Sequence, residues 1–261
     1  MKKIKLLLEY DGTAYQGSQI QKRGLTIQGI LEEKILKITG SQSRIIGASR
    51  TDAGVHALGQ VVVFRTESKL SPERIKKALN ALLPQNIRIL DVSEVDESFN
   101  PRHNAQRKSY FYIISNQRGS SAFFYKYTWG VKQPLELKTM MEAAQILIGK
   151  HDFSSFQGNS SDTKNTVREI FSLCIERLEE MDFMTMRMKG DFIKITIEAD
   201  GFLRHMARNI VGTLIEIGRG RISVHRMEEI LRSCNRKLAG PTAPPHGLFL
   251  ERIVYPENAF T

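Results

Sequence analysis

The residue with the plainest chemical use is one carboxylate set among small residues beside a cation. It lies in Gly47-Ala48-Ser49-Arg50-Thr51-Asp52-Ala53-Gly54-Val55-His56-Ala57-Leu58-Gly59-Gln60, between the apolar runs Ile45-Ile46 and Val61-Val62-Val63-Phe64. The small residues let a backbone or a ligand approach closely. Arg50 brings a positive charge, and Asp52 a group able to act as base or nucleophile. The ordinary reading of Asp52-Ala53-Gly54 is a turn whose aspartate caps its own backbone. Competing chemistries lack their residues. There is no phosphate-cradling Gly-Lys-Ser/Thr loop and no Gly-x-Ser-x-Gly elbow, and Gly218-Arg219-Gly220 follows a helical pattern, so it reads as a terminator. The six His show no metal-ligand spacing, so no metal is expected.

Three further segments could serve Asp52. In Arg107-Lys108-Ser109-Tyr110-Phe111-Tyr112, strand pleating sends Tyr110 and Tyr112 to one face, to pack in a core or to stack on a base. In Phe202-Leu203-Arg204-His205-Met206-Ala207-Arg208, the two arginines lie four apart on one face of an expected helix. Amid apolar neighbours at least one guanidinium needs a partner, and a carboxylate such as Asp52 would stay ionised beside it; snorkelling to water is the plainer alternative. His205 reads as a packed or surface residue. Ala239-Gly240-Pro241-Thr242-Ala243-Pro244-Pro245-His246-Gly247-Leu248 is a proline-stiffened connection into a strand.

The elements that would position these residues follow from periodicity. Residues 4–10 alternate as a strand, and Thr26 caps a helix through 38 that Gly40 ends. Strands at 44–46 and 60–66 flank the Asp52 loop, Ser71-Pro72 opens a helix to 83, and 87–95 is a strand. That order is a split βαβ, ferredoxin-like unit. The remainder repeats it more loosely, with strands at 109–115, 165–178, 183–188, 193–199 and 248–255 and helices at 135–149, 202–218 and 224–233. The expected architecture is α+β: two ferredoxin-like or RRM-like subdomains, 1–105 and 106–261, whose antiparallel sheets flank a central basic active-site cleft. Residues 116–127 and 158–165 read as polar loops long enough to be mobile or to touch a large substrate.

The 261 residues carry 38 Lys/Arg against 28 Asp/Glu, a net charge of +10, which points to an anionic partner. Residues 1–105 hold 16 Lys/Arg against 11 Asp/Glu and 106–261 hold 22 against 17, so the excess is shared and both parts could line one groove. Cys174 and Cys234 have no Cys-x-x-Cys spacing and read as small buried apolar residues. No signal-peptide pattern or membrane-length apolar stretch is present. A soluble protein of a reducing compartment, the cytoplasm, is expected.

The chain resembles the bacterial tRNA pseudouridine synthase A family over essentially its full length. The resemblance rests on Tyr10-Asp11-Gly12-Thr13-Ala14-Tyr15-Gln16-Gly17, Thr26-Ile27-Gln28-Gly29-Ile30-Leu31-Glu32 and Arg50-Thr51-Asp52-Ala53-Gly54-Val55-His56-Ala57. It continues in Asn80-Ala81-Leu82-Leu83-Pro84, Lys108-x-Tyr110-x-Tyr112, His151-Asp152-Phe153-Ser154-Ser155-Phe156, Arg208-Asn209-Ile210-Val211-Gly212 and the 239–248 loop. It implies that Asp52 is the nucleophilic or otherwise essential aspartate, that Tyr110 contacts the target uracil, that Arg208 pairs with Asp52 and that Arg50 helps hold the flipped-out nucleotide or the backbone it leaves. It also implies conversion of uridines 38, 39 and 40 of the tRNA anticodon stem-loop to pseudouridine by a homodimer without metal or organic cofactor. Three departures stand out: Ser18 where the family usually has Trp, Ser49 where Gly is usual, and Phe99-Asn100-Pro101-Arg102-His103 for the usual Phe-His-Ala-Arg. None removes a catalytic group; the lost Trp bears on packing or RNA contact near the first strand.

Two other readings compete. A non-catalytic RNA-binding or RNA-folding protein could use the same sheets, yet a pure binder gains nothing from a carboxylate facing phosphates. A glycosidase needs a second carboxylate, and none accompanies Asp52 in its motif.

Overall fold

The computed structural model describes residues 1–117, 119, 121–158, 163, 165–183 and 186–260. Much of the expected loop at 158–165, and residues 118 and 120 of that at 116–127, lie outside the described residues. The fold is α+β, and the chain divides into two compact units, Met1–Lys108 with Phe249–Thr261, and Ser109–Leu248.

In the first unit the strands are β1 (Lys2–Tyr10), β2 (Ile46–Gly47), β3 (His56–Thr66) and β4 (Ile87–Val95). β1 pairs antiparallel with β3 (Leu6↔Val62) and with β4 (Leu6↔Val92), and β2 pairs antiparallel with β3 (Ile46↔Val63). Each crossover, through α1 (Ile27–Thr39) or α2 (Pro72–Leu82), thus skips a place that one antiparallel strand fills. Pleating buries Ile4, Leu6 and Leu8 completely, and the helices close over the sheet with Ile27, Leu31, Ile35, Ile75 and Leu79. Each such side chain contributes about 2 kcal/mol by leaving water. The caps are those the sequence announces. Thr26 Oγ1 accepts from Gly29 N, Ser71 Oγ accepts from Arg74 N, and Gly40 ends α1 at φ 74°.

The second unit holds most of β5 (Arg107–Ser115), then β6 (Trp129–Gly130), α3 (Leu137–Ile146), β7 (Gly149–Asp152), β8 (Val167–Phe183), β9 (Met186–Ala199), α4 (Met206–Gly218) and α5 (His225–Ser233). Its strand order is β5-β9-β8-β7. Several expectations are corrected here. In place of the three strands expected at 165–178, 183–188 and 193–199 stand two, β8 and β9, paired antiparallel from Ile170 opposite Ala199 to Phe183 opposite Met186. Their charged half lacks apolar alternation and is stitched by cross-strand pairs, Arg177 bidentate to Asp191 and Arg187 to Asp182. The helix expected from 202 starts at Met206, because His205 is left-handed at φ 61°. Arg204 is therefore off the helix and exposed. Cys174 and Cys234 are exposed: Cys174 alternates outward between buried Leu173 and Ile175, and Cys234 caps α5 in the left-handed region.

A single boundary near 105 leaves the last strand with the second part. β10 (Leu248–Val254) instead pairs in parallel with β3, Phe249 opposite His56, and so belongs to the first unit almost entirely.

α4 is buried all round except at Arg208. Gly212 permits this, since an added Cβ would come to 1.7 Å from Pro241 O. Gly212→Ala is expected to lower the unfolding free energy by at least about 2 kcal/mol in urea titrations. An unchanged midpoint would show that the 239–248 loop yields at no cost.

Candidate active site

Because β3 starts at His56, the loop bearing Arg50 and Asp52 is only residues 48–55. It is braced along its length. Lys108 Nζ donates to Ala48 O at 2.8 Å, and the Gln60 carboxamide brackets Ser49, accepting from its N at 3.3 Å and donating to its O at 2.9 Å. Thr51 is held at all three polar atoms. Its N donates to Ser18 Oγ (2.8 Å), its O accepts from Ser18 N (3.0 Å), and its Oγ1 shares a hydrogen bond with Tyr10 OH (2.8 Å). Beyond Asp52, Val55 N donates to Asp52 O (3.1 Å) and Gly54 N to Tyr15 O, so the expected turn exists, closed by the backbone carbonyl.

Gly12 and Gly17 make the close approach possible. A Cβ on Gly12 would sit 2.0 Å from Val55 O, and Gly17, at φ 93°, lies against Thr51 O. His56, 1% exposed, stacks on Phe249 at 4.6 Å. Its Nδ1 lies 3.1 Å from both Gly12 N and Asp11 Oδ1, and that carboxylate oxygen also accepts from Thr13 N and Thr13 Oγ1.

Asp52 is half-buried and Arg50 exposed. Arg102 adds a second guanidinium to this region: burial, and then the Arg50 cation, lower its pKa. Two guanidiniums in mutual repulsion favour a shared anion.

The second unit carries the other expected residues. Tyr110 is 5% exposed, its ring edge-on to Phe202 at 4.8 Å. Tyr112 is fully buried and donates to Pro244 O at 2.8 Å; burial raises its pKa, and the Arg208 charge tempers the rise. Both tyrosines are thus packed, and Phe111, facing the other way, lies under the Lys194 ammonium at 5.2 Å. Arg208 and the proline loop clasp each other: Arg208 Nε donates to Ala243 O (2.7 Å) and Ala243 N to Arg208 O (3.1 Å). Asn209, fully buried, secures the clasp. Its Nδ2 donates to Phe156 O, and its Oδ1 accepts from Thr242 Oγ1 and Arg236 Nη2. The 239–248 loop is therefore more than a connection; it is seated on the start of α4.

Asp52 and Arg50 thus stand in the first unit, and Tyr110 and Arg208 in the second. Sequence reasoning missed Tyr10, Ser18, Gln60 and Lys108 as braces, and Asn209, Arg236 and Thr242 as the seat of the loop. All but Arg236 lay in strings already singled out or, for Ser18, stood as a departure from the family pattern, yet none pointed to a bracing role. Among the described residues no cluster of three or more His, Cys, Asp or Glu is arranged to hold a metal, and no helix is long and apolar enough to cross a membrane.

Fold and site define a basic α+β protein that carries one carboxylate, Asp52, and one guanidinium, Arg50, on a braced loop. The family model described as tRNA pseudouridine synthase matches residues 7–104 and 143–256. A tRNA pseudouridine synthase A of Thermodesulfovibrio yellowstonii is 45% identical over 255 residues, covering 98% of this chain and all of that protein. Those of Thermoanaerobacter sp. (strain X514) and Syntrophomonas wolfei are each 44% identical, covering 98% and 99% of this chain and 100% of each relative. The chain belongs to the tRNA pseudouridine synthase family, enzymes of the isomerase class.

Burial pushes the Tyr10 hydroxyl up to about 12, against its hydrogen bonds with Thr51 and Gln60. A raised pKa means that the folded chain holds this proton more tightly than the unfolded one. The stabilisation is complete below the unfolded value near 10 and is lost as pH rises towards 12. The stability difference between wild type and Tyr10→Phe is expected to shrink by up to about 2 kcal/mol over that interval. Urea unfolding at stepped pH measures it, and a constant difference contradicts the assignment.

Proposed function

We propose that this chain isomerises uridine to pseudouridine at positions 38, 39 and 40 of the tRNA anticodon stem-loop, as a cytoplasmic homodimer. The observation that carries the reading is Asp52 on its braced loop, within residues 7–104 that the family model matches. In this reading two ferredoxin-like subdomains flank a basic cleft that takes the stem-loop. The target base leaves its stack at a cost of a few kcal/mol, offset by contact with Tyr110 and by phosphate contacts to the cleft. Arg50 holds the displaced nucleotide or the backbone it leaves.

The chemistry is internal: the N1–C1′ bond breaks, the uracil turns, C5 joins C1′, the C5 proton leaves to solvent and N1 takes up a proton in its place. No redox or energy-carrying group enters the balance. Asp52 must be ionised whether it attacks C1′, attacks the ring or takes a proton from the sugar. Arg208 supplies the counter-charge that keeps it so, and exclusion of water keeps the detached base from escaping.

Tritium release from C5-labelled uridine in a tRNA transcript tests the reading. The wild-type chain is expected to release tritium, and Asp52→Ala to lower the rate at least about 1,000-fold while still binding tRNA. Tight binding without release by either would identify an RNA-binding or RNA-folding protein instead. Arg208→Ala is expected to lower kcat about 100-fold with tRNA affinity changed far less. Equal losses in both would reduce Arg208 to a phosphate contact.

A further inference from the structure

We infer that Ser18 is a positioning residue for the isomerisation, acting through Thr51 on the Asp52 carboxylate; the inference rests on the reading of Asp52 just given. Ser18 grips the two peptide groups that flank Thr51. Its Oγ accepts from Thr51 N, in the peptide joining Arg50 to Thr51, at 2.8 Å. Its N donates to Thr51 O, in the peptide joining Thr51 to Asp52, at 3.0 Å. Because each peptide is planar, these two bonds orient the planes from which the Arg50 and Asp52 side chains depart.

Ser18 is itself anchored. Gln28 N, in the first turn of α1, donates to Ser18 O at 2.9 Å, and Ile27 N donates to Gly17 O at 3.3 Å. Gly17, at φ 93°, brings Ser18 against the loop where an added Cβ would meet Thr51 O at 2.8 Å. The start of a regular helix is thereby coupled, through one hydroxyl and one amide, to the residue before Asp52. Mutation to alanine removes what the hydroxyl makes, the bond from Thr51 N and a long one of 3.5 Å to Thr51 O, and leaves the Ser18 N–H. Removing the hydroxyl deprives the N–H of Thr51, a residue 7% exposed, of this acceptor. The amide bond to Thr51 O survives, so the loop stays docked while the Arg50–Thr51 peptide gains freedom to rotate.

The test compares wild type, Ser18→Ala, Ser18→Thr and Asp52→Ala by single-turnover rate, tRNA affinity and thermal unfolding. Ser18→Ala is expected to slow turnover about 10- to 100-fold, with tRNA Kd within about threefold of wild type and a Tm lowered by only a few degrees, as one unpaired buried N–H implies. Ser18→Thr, which keeps the hydroxyl, is expected to recover the rate to within about threefold of wild type. A Ser18→Ala variant at full rate overturns the inference. So does one whose rate, affinity and Tm fall together, and so does a Ser18→Thr variant as slow as the alanine. Asp52→Ala keeps the two failures apart. If it turns over normally, the reading of Asp52 falls whatever Ser18 does; if it is inactive while Ser18→Ala is not slowed, only the role of Ser18 falls.

Discussion

Every polar atom of Thr51 is engaged, and the residue that follows it is Asp52. Three hydrogen bonds of ordinary strength contribute together about 3 kcal/mol. Fixing one residue's backbone costs about 1–2 kcal/mol. The Thr51 ties therefore offset the ordering of about two residues, enough for Thr51 and one neighbour. The rest of the loop draws on its own braces, Lys108 beneath Ala48, Gln60 around Ser49 and the turn that closes on Asp52 O. A reactive carboxylate is useful only if its direction is set before substrate arrives, since geometry found during the reaction adds to the barrier.

The second unit solves a similar problem with different materials. A helix buried on nearly every side leaves Arg208 as its one half-exposed position, and the proline loop holds that side chain by its Nε. Prolines restrict the loop before folding, so less entropy is lost when it docks. Asn209 and Arg236 then satisfy the carbonyls and hydroxyl that the docked loop would otherwise bury unpaired. Gly212 and Gly240 keep both backbones within reach, as a side chain on either would collide with the other segment.

Legibility in the sequence followed the range of the forces involved. α1, α2 and β4 are set by local periodicity and by caps three residues away, so their bounds were readable to within a residue. Residues 176–183 and 186–191 were not, because their pairing rests on charges such as Arg177 and Asp191 that meet only when the two strands come together. The apolar run before α4 suggested a longer helix, but the left-handed backbone of His205 is a tertiary choice without a sequence signal. Asp52, Arg50, Tyr110 and Arg208 were visible as residue types in motifs. Ser18 was visible only as a missing aromatic; its hydroxyl gains meaning from Thr51, 33 positions along the chain.

Asp52 hangs from a loop that is already rigid in the absence of RNA. Residue-resolved hydrogen exchange of the Thr51 amide in the RNA-free protein tests it most directly. Protection comparable to that of amides within β3 is expected. Exchange at the rate of an exposed, unstructured loop would contradict it.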